Sequence, residues 1–600
     1  MRSVIFNTCC LALGVLLTGS MVLAATHQVD IQVTGVEDQL LENVRAYLSL
    51  QQQKNHPRLS EKRIERLHQK ATEEIKRALE PFGYYQVEVQ TTLQAIDATH
   101  WRAHYQIDLG PPLLIHELTV KLEGDGQNDP AFAELLNKFP LQQGQQLKHT
   151  DYEQAKRMLR NLAQERGYFE AQLTQHQLQI HQQKNQAFVI LVLKTGARYR
   201  FGAVQFHQDT FDEALLQRFL TFKPGDFYQS SALLAFKNNL VDSDYFETVE
   251  VEVQRDAAYD DKRLPIEVTL TARKPTQFSV GIGYGTDTGV RGSLGWHRRY
   301  LNRYGHRFSA KTELSEIRKT ATTRYEIPIG QLKEDYYAIT AGYQDEQIRN
   351  IDSELYLVGF AKNHGRQFFD IPLREVIGIE YRDEKFAIGN CHHQAAINNC
   401  GHAKLLTPYI NWSYLKADNR IYTTRGQKIQ LELRGALDNL GSNASFFQSR
   451  LSTVFIRKLH DTGRIIARGE VGYSFVSLLA GDFHDLPPSI RFFAGGDRSV
   501  RGYDYKTLGP TNMEGDVIGG KNLLVGSLEY EQRILEQWSL AVFYDVGNAF
   551  NDFAQPLEHG AGFGVRWHSP VGLIRIDLAA ALGEAGHYPL RLHITIGPDL

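Results

Sequence analysis

Two periodicities divide this chain. Up to about residue 275, stretches with apolar residues at helical spacing alternate with stretches of strand-like alternation; beyond residue 277 the period of two dominates. Helical patterns run over residues 63–79, 152–165 and 231–241. In the second, Ala155, Met158, Leu159 and Leu162 fall on one face. Each helical run leads to an aromatic doublet: Gly83-Tyr84-Tyr85, Gly167-Tyr168-Phe169 and Asp244-Tyr245-Phe246. Alternating residues follow the doublets, as in Val249-Glu250-Val251-Glu252-Val253, and a second strand pattern closes each stretch at 104–109, 188–193 and 266–270. Strand patterns also open them, at 28–33, 115–122 and 201–206. Phe139-Pro140 with Gly144, and Phe222 with Pro224-Gly225, stand at equivalent places before two of the helices. The order strand, helix, helix, strand, strand therefore recurs three times, which predicts a repeated α+β module. Doublets that merely end helices in unrelated domains would not be flanked by the same order. Such modules carry edge strands able to accept another chain, so this half reads as a docking arm.

In the remaining chain, Ile429, Leu431 and Leu433 alternate with Lys428, Gln430, Glu432 and Arg434. Ile574, Ile576 and Leu578 alternate with Arg575 and Asp577, and Leu590, Leu592, Ile594 and Ile596 with Arg591, His593 and Thr595. A soluble sandwich gives this pattern with its polar face in water. A membrane barrel gives it with apolar residues toward lipid and polar ones toward a lumen. At roughly 20 residues per strand and turn, the stretch from 276 to 600 holds on the order of sixteen strands, and a membrane strand needs only about 10 residues.

The N-terminus tips the balance toward the barrel. Arg2 precedes an apolar run over 4–23 that ends in Val22-Leu23-Ala24-Ala25, the pattern of a cleaved export signal, with an uncleaved anchor as the alternative. No other stretch is long and apolar enough for a membrane helix. The aromatic content of 11% and the 49 glycines suit a barrel, and a net charge of −3 offers no basic surface for nucleic acid. Cys9 and Cys10 would leave with the signal. Cys391 and Cys400 are then expected to form a disulfide in an oxidising compartment. His392, His393 and His402 beside them suggest a metal cluster as the alternative, but the cysteine spacing is too wide for the usual zinc pairs.

One stretch stands apart from the alternation: residues 495–505, GGDRSVRGYDY. Val500, Arg501, Gly502 and Tyr503 lie in a charged, glycine-bounded loop, expected to fold back into the barrel lumen. Arg501 then needs an acid, and Glu529 and Asp545 on late strands are the candidates; an exposed arginine in solvent is the bland alternative. Residues 515–521, GDVIGGK, approach a phosphate-binding loop, but Asn522 replaces the Ser or Thr and no strand–helix context surrounds it. There is no G-x-S-x-G nucleophile elbow. No catalytic residue, cofactor or metal is expected.

Taken together, Val500-Arg501-Gly502-Tyr503, Ser527-Leu528-Glu529-Tyr530, Phe543-Tyr544-Asp545-Val546-Gly547, residues 560–579 (GAGFGVRWHSPVGLIRIDLA) and residues 281–289 (GIGYGTDTG) resemble the BamA/TamA superfamily of outer-membrane assembly proteins. Three modules, called POTRA in that family, and the ending IGPDL resemble its TamA branch. The resemblance implies a multidomain chain: signal peptide 1–25, POTRA modules 26–111, 112–196 and 197–275, and a 16-stranded antiparallel transmembrane β-barrel over 276–600. It implies closure of first strand on last along a weak seam involving Phe278, Val280, Gly281, Ile282, Tyr284, Leu592, Ile594, Ile596 and Gly597, with Ile282 near Ile594. Glycines there offer no side chain to pack. It also implies a Gram-negative outer-membrane location with the modules in the periplasm. An inner-membrane-anchored TamB-like partner would dock on the first module. The cargo would be autotransporter-type proteins, phospholipid or both, passing a laterally opening seam; a dedicated two-partner-type secretion pore and a general outer-membrane assembly barrel are the alternatives. The family's assembly signal ends in an aromatic residue, and this chain ends in Leu600.

Overall fold

The computed structural model describes residues 27–597 except 256–260, 331–333, 369–370, 390–399, 420–421, 477–482, 570–571 and 584–588. The expected export signal and Cys391 lie outside the described residues. The chain divides into two compact units: residues 1–201 with 225–231 and 258–264, and residues 202–224, 232–257 and 265–600.

In the first unit, module 1 comprises β1 (Gln28–Thr34), α1 (Asp38–Tyr47), α2 (Ser49–Gln53), α3 (Glu61–Leu79), β2 (Glu88–Ala95) and β3 (His100–Asp108). Its sheet has the order β1-β3-β2, with β1 parallel to the central β3. Helix α3 forms because Ile64, Leu67, Ala71, Ile75 and Ala78 recur every three or four residues, and all are buried against Ala103 and Tyr105 of β3. Each such aliphatic side chain contributes about 1.5–3 kcal/mol when fully buried. The short α2 was not legible as a separate helix; Leu48 and Leu50 are fully buried and turn the chain there. Module 2 comprises β4 (Leu114–Gly124), α4 (Pro130–Asn137), α5 (His149–Glu165), β5 (Gln172–His181) and β6 (Gln186–Gly196), again with its last strand central. Asp129 caps α4 by accepting from the Ala131 N–H at 3.1 Å, with Pro130 at the first helical position. The same carboxylate takes a two-pronged contact from Arg166 at 3.0 and 2.9 Å and the Tyr168 hydroxyl at 3.1 Å. Module 3 comprises β7 (Arg200–His207), α6 (Glu213–Gln217), α7 (Ser230–Asp242), β8 (Phe246–Val253) and β9 (Arg263–Ala272), in the order β7-β9-β8.

The aromatic doublets are joints. Gly83 and Gly167 have left-handed backbones, φ 85° and 84°, and their carbonyls accept from Leu113 and Tyr199 at the start of the next module. In both cases a Cβ would strike the following module, Leu147 O or Tyr228 Cβ, so only glycine fits. The third copy puts Asp244 in the same conformation, φ 65°. Aspartate tolerates that region better than most residues. Here its carboxylate pairs with Arg273 and with Arg299 at 3.1 Å, and the Tyr245 hydroxyl donates to the Gly305 carbonyl. A flexible residue at two joints is thus replaced by an ionic clamp at the third.

The barrel has sixteen antiparallel strands: β10 (Thr276–Gly285), β11 (Gly289–Arg298), β12 (Arg307–Ser315), β13 (Arg318–Pro328), β14 (Tyr336–Ile348), β15 (Ile351–Phe368), β16 (Ile371–Ile388), β17 (Cys400–Ala417), β18 (Gly426–Ala436), β19 (Phe446–His460), β20 (Gly463–Val476), β21 (Asn522–Leu535), β22 (Trp538–Phe550), β23 (Glu558–Ser569), β24 (Gly572–Ala581) and β25 (Leu590–Ile596). They close into a ring in sequence order. Alternation shows most cleanly on β22. Trp538, Leu540, Val542 and Tyr544 are exposed on the outer face, whereas Ser539, Ala541, Phe543 and Asp545 are buried inside. An exposed apolar outer face with polar groups inside is the inverse of a soluble sandwich and fits lipid as the surrounding solvent. No helix among the described residues is long and apolar enough to cross a membrane. Cys400, at the start of β17, is disulfide-bonded.

Candidate functional site

Between β20 and β21, residues 483–521 fold inward as a loop. Backbone bridges Phe492↔Gly520, Ala494↔Leu508 and Thr511↔Val517 brace it internally. Residues 515–521 lie on its return limb and lead directly into β21, so the phosphate-loop-like stretch has no helix after it.

Each of the four residues at the loop's tip is held by a different neighbour. Val500 is fully buried in an apolar cluster with Phe492, Leu508, Leu523, Val525 and Ala549. Arg501 reaches the inner wall. Its Nε and Nη2 donate to the two Asp545 oxygens at 2.7 and 3.0 Å, and its own backbone N–H donates to the same carboxylate at 3.1 Å. Its Nη1 donates to Glu529 at 2.9 Å and Asp577 at 3.3 Å, and the guanidinium lies 3.3 Å over the Phe543 ring centre. Gly502, with φ 97°, presses against the β24 backbone at Ala580 and Ala581, where a Cβ would overlap it. Tyr503 donates to Glu558 on β23 at 2.7 Å.

The structure brings Arg501 together with both acids singled out in the sequence. It also adds three members to the cluster that the strand pattern alone left unassigned: Asp577, Arg566 and Arg468. Arg566 on β23 bridges Asp577 at 2.6 Å and Glu529 at 2.8 Å, and Arg468 on β20 adds a contact to Glu529 at 3.4 Å. Three guanidinium groups thus face three carboxylates across five adjacent strands. Asp577 was visible as a polar position on β24, but nothing in the pattern said that it faces Arg501. The site is also drier than a water-filled lumen: Arg501 is 4% exposed and Asp545 0%. Glycines 560 and 564 on β23 leave the wall bare where the Arg501 carbonyl and Asp577 pack. In such a setting the pair adds modest net stability, but removing one partner strands a buried charge.

The same loop crosses the seam. β10 and β25 share one register pair, Gly285↔Thr595, whereas β24 and β25 are paired without interruption from Ile574↔Ile596 to Ala580↔Leu590. The sequence-based placement of Ile282 near Ile594 is off by four residues: Thr286, just past β10, exchanges bonds with Ile594. Among the described residues the seam uses only the end of β10, because β25 ends at Ile596 and no described strand residue pairs with Phe278, Val280 or Ile282 on that side. Among the other predicted seam residues, Gly281 and Tyr284 pair with β11, and Leu592 and Ile596 with β24. Gly597 follows β25, its N–H donating to the Leu573 carbonyl.

Side chains supplement what the ladder lacks. Asp497 of the loop accepts from the Thr286 hydroxyl at 2.9 Å and donates its N–H to Asp287 at 2.7 Å. On the other side it meets His593 Nδ1 of β25 at 2.6 Å, and His593 Nε2 accepts the Gly502 N–H at 3.0 Å. A backbone N–H can only donate, so Nε2 is the acceptor and Nδ1 carries the proton. Asp287, Asp497 and His593 lie close enough to hold a cation; in this arrangement the His593 nitrogens are committed to Asp497 and Gly502. Asp504, further along the loop, pairs with Arg349 at the end of β14 and Arg591 of β25. First strand, loop and last strand are thereby stitched together through the loop.

Comparison with known proteins agrees with this architecture. The profile of the Omp85 superfamily domain matches residues 263–598, more than half of the chain. The profile described as POTRA domain TamA domain 1 matches residues 30–109, and the surface antigen variable number repeat, a POTRA profile, matches 128–196 and 199–273. The chain belongs to the Omp85 superfamily. Two relatives are similar in sequence, both outer membrane protein assembly factor BamA. The one from Neorickettsia risticii is 21% identical over 64% of this chain and 53% of its own length. The one from Nitratidesulfovibrio vulgaris is 23% identical over 64% and 48%. The chain spans about half the length of these curated relatives. Among solved structures, BamA from Haemophilus ducreyi lacking POTRA domains 1–3 superimposes with a TM-score of 0.65 at 16% identity, covering 81% of this chain and 99% of that one.

Proposed function

We propose that this chain is the outer-membrane component of a translocation and assembly module, with residues 1–25 as its export signal. Three periplasmic POTRA modules, over 26–111, 112–196 and 197–275, deliver cargo to a barrel over 276–600 that works through its seam. The observation that carries the reading is the contrast between that seam and the rest of the ring. Among the described residues a single ladder pair joins first and last strands, and an inward-folded loop braces the junction. A strand edge with unpaired N–H and C=O groups can template an incoming strand. The cargo under this reading is autotransporter-type outer-membrane protein, phospholipid or both. The TamA-type profile on the first module supports an inner-membrane-anchored, TamB-like partner docking there. Strands β1 and β2 are both edges of that module's sheet and offer backbone groups for such a partner.

Deletion of residues 27–110 tests the docking role. The truncated chain is expected to keep a folded barrel, seen as heat-modifiable mobility on unboiled gels, while losing its partner in envelope crosslinking. An unchanged set of crosslinked partners would refute docking through module 1.

A further inference from the structure

The lumen holds a cavity of about 610 Å³ whose lining is unbalanced in charge: eight arginine or lysine residues and four carboxylates. Arg382 on β16, Arg434 on β18 and Arg450 on β19 form its wall; Arg498 and Lys506 come from the inward loop and Arg291 from β11. Some of these charges are already satisfied. Lys506 pairs with Glu346 and Arg450 with Glu470, at 2.7 and 2.6 Å. Others retain capacity. Arg382 donates to Glu380 and Ser489, each at 2.9 Å, but its Nε is buried with no hydrogen-bond partner. Arg434 gives its Nε to Gln448, a neutral acceptor, at 2.8 Å, and meets Glu432 only at 3.6 Å. Arg498 is exposed on the loop. A buried guanidinium nitrogen without an acceptor is costly, and an anionic oxygen would satisfy it.

The cavity also reaches the seam, where Tyr284 and Gly285 of β10 and Thr595 and Ile596 of β25 line it. Earlier on the same strand, Phe278, Val280 and Ile282 present an apolar strip, each at least 74% exposed and with no seam-side strand partner among the described residues. A cationic interior and an apolar exterior thus meet at the ladder that, among the described residues, pairs first and last strands only at Gly285↔Thr595. One kind of molecule fits both halves: an anionic headgroup attached to hydrocarbon tails.

We propose that this cavity binds the phosphate-bearing headgroup of an anionic lipid that enters through the seam while its tails stay in the bilayer. The proposal rests on the reading of the seam as the working edge of the barrel, and adds a lipid class and the residues that select it. Arg382, Arg434 and Arg498 supply donors to the phosphate oxygens. The four carboxylates in the lining offset part of the repulsion among its cations. The excess of cations favours a net negative headgroup over a zwitterionic one carrying the same phosphodiester.

The test uses the full chain in detergent, with no partner or assembly substrate present. Binding of dihexanoyl-phosphatidylglycerol, dihexanoyl-phosphatidylcholine and inorganic phosphate is measured by calorimetry. The anionic lipid is expected to bind at least roughly tenfold more tightly than either alternative. Arg382→Gln with Arg434→Gln is expected to abolish that preference, while Lys138→Gln on an exposed face of module 2 leaves it intact. Equal binding of the two lipids, or a preference that survives the double variant, overturns the proposal. Inorganic phosphate binding as tightly as phosphatidylglycerol overturns the assignment to lipid. If the double variant lacks heat-modifiable mobility, Arg498→Gln decides, because that residue is exposed on the loop: unchanged lipid binding overturns the proposal, and weakened binding supports it. None of these outcomes bears on partner docking, which the module 1 deletion tests separately.

Discussion

Replacing Arg501 with alanine is the sharpest perturbation of the inward loop. Five side-chain contacts vanish: two to Asp545 and one each to Glu529, Asp577 and Ser527. What remains is three carboxylates facing Arg566 and Arg468, one negative charge in excess, with the carboxylates and Arg566 only 0–4% exposed. Breaking a buried ion pair in this way costs about 3–5 kcal/mol. The barrel ladder does not depend on Arg501, so the cost falls on loop docking, a shift of roughly two to four powers of ten in the docked-to-released ratio. Val500 reports this directly, because it is fully buried while the loop is docked. In a Val500→Cys background, labelling by a membrane-impermeant maleimide is expected to be at least roughly a hundredfold faster with Arg501→Ala than without it. Heat-modifiable mobility should be unchanged. Charge arithmetic adds a second outcome. Arg501→Ala with Asp545→Ala restores the balance at two against two, so the double variant is expected to label more slowly than Arg501→Ala alone. Labelling at the parental rate in Arg501→Ala, or a double variant as open as the single, would refute the claim that this network holds the loop.

Other perturbations follow from the same geometry. Arg501→Lys keeps the charge but not the fork that serves Asp545 and Glu529 together, so Val500→Cys labelling in that background should lie between parent and alanine variant. Gly560→Ala drives a methyl group into the Arg501 carbonyl and should release the loop with every charge intact, read by the same label. In module 2, burial pushes the Asp129 carboxyl up, but the Arg166 and Ala131 hydrogen bonds and the Arg166 and Arg198 charges outweigh it and hold it below the usual range. A pKa depressed in the fold stabilises above the unfolded carboxylate value, and that stability is lost as pH falls through the folded value. Urea unfolding of the arm, residues 27–275, should therefore show Asp129→Asn costing about 2–3 kcal/mol near neutrality, with the gap closing below about pH 4. Asp244→Gly removes the clamp to Arg273 and Arg299 while easing the backbone, and should raise protease cleavage after Arg273 without unfolding the barrel.

Much of this molecule is written locally. The helical and alternating periods placed the module helices and the strands of the barrel because each element buries one face, and the period records which face. The doublets stood out for a physical reason too: a left-handed residue must follow the helix, and the tyrosine beside it packs at the joint. Pairings between distant strands are not written this way. Arg566 and Asp577 are ordinary members of alternating strands, and only the barrel's register aims them at Glu529 and Arg501. The four-residue slip at the seam has the same origin, since alternation reports which face a residue occupies but not which partner lies opposite. His593 illustrates the point most clearly. It reads as one polar position among apolar neighbours, yet it joins the last strand to the loop through both ring nitrogens.

The central claim, that the chain works through its seam, is tested most directly by locking it. Gly285→Cys with Thr595→Cys places two thiols on a register pair that joins first and last strands. The disulfide is expected to form without disturbing heat-modifiable mobility, to stop assembly of an autotransporter substrate and movement of lipid in envelope vesicles, and to release both on reduction. Full activity in the oxidised, locked barrel would contradict the account.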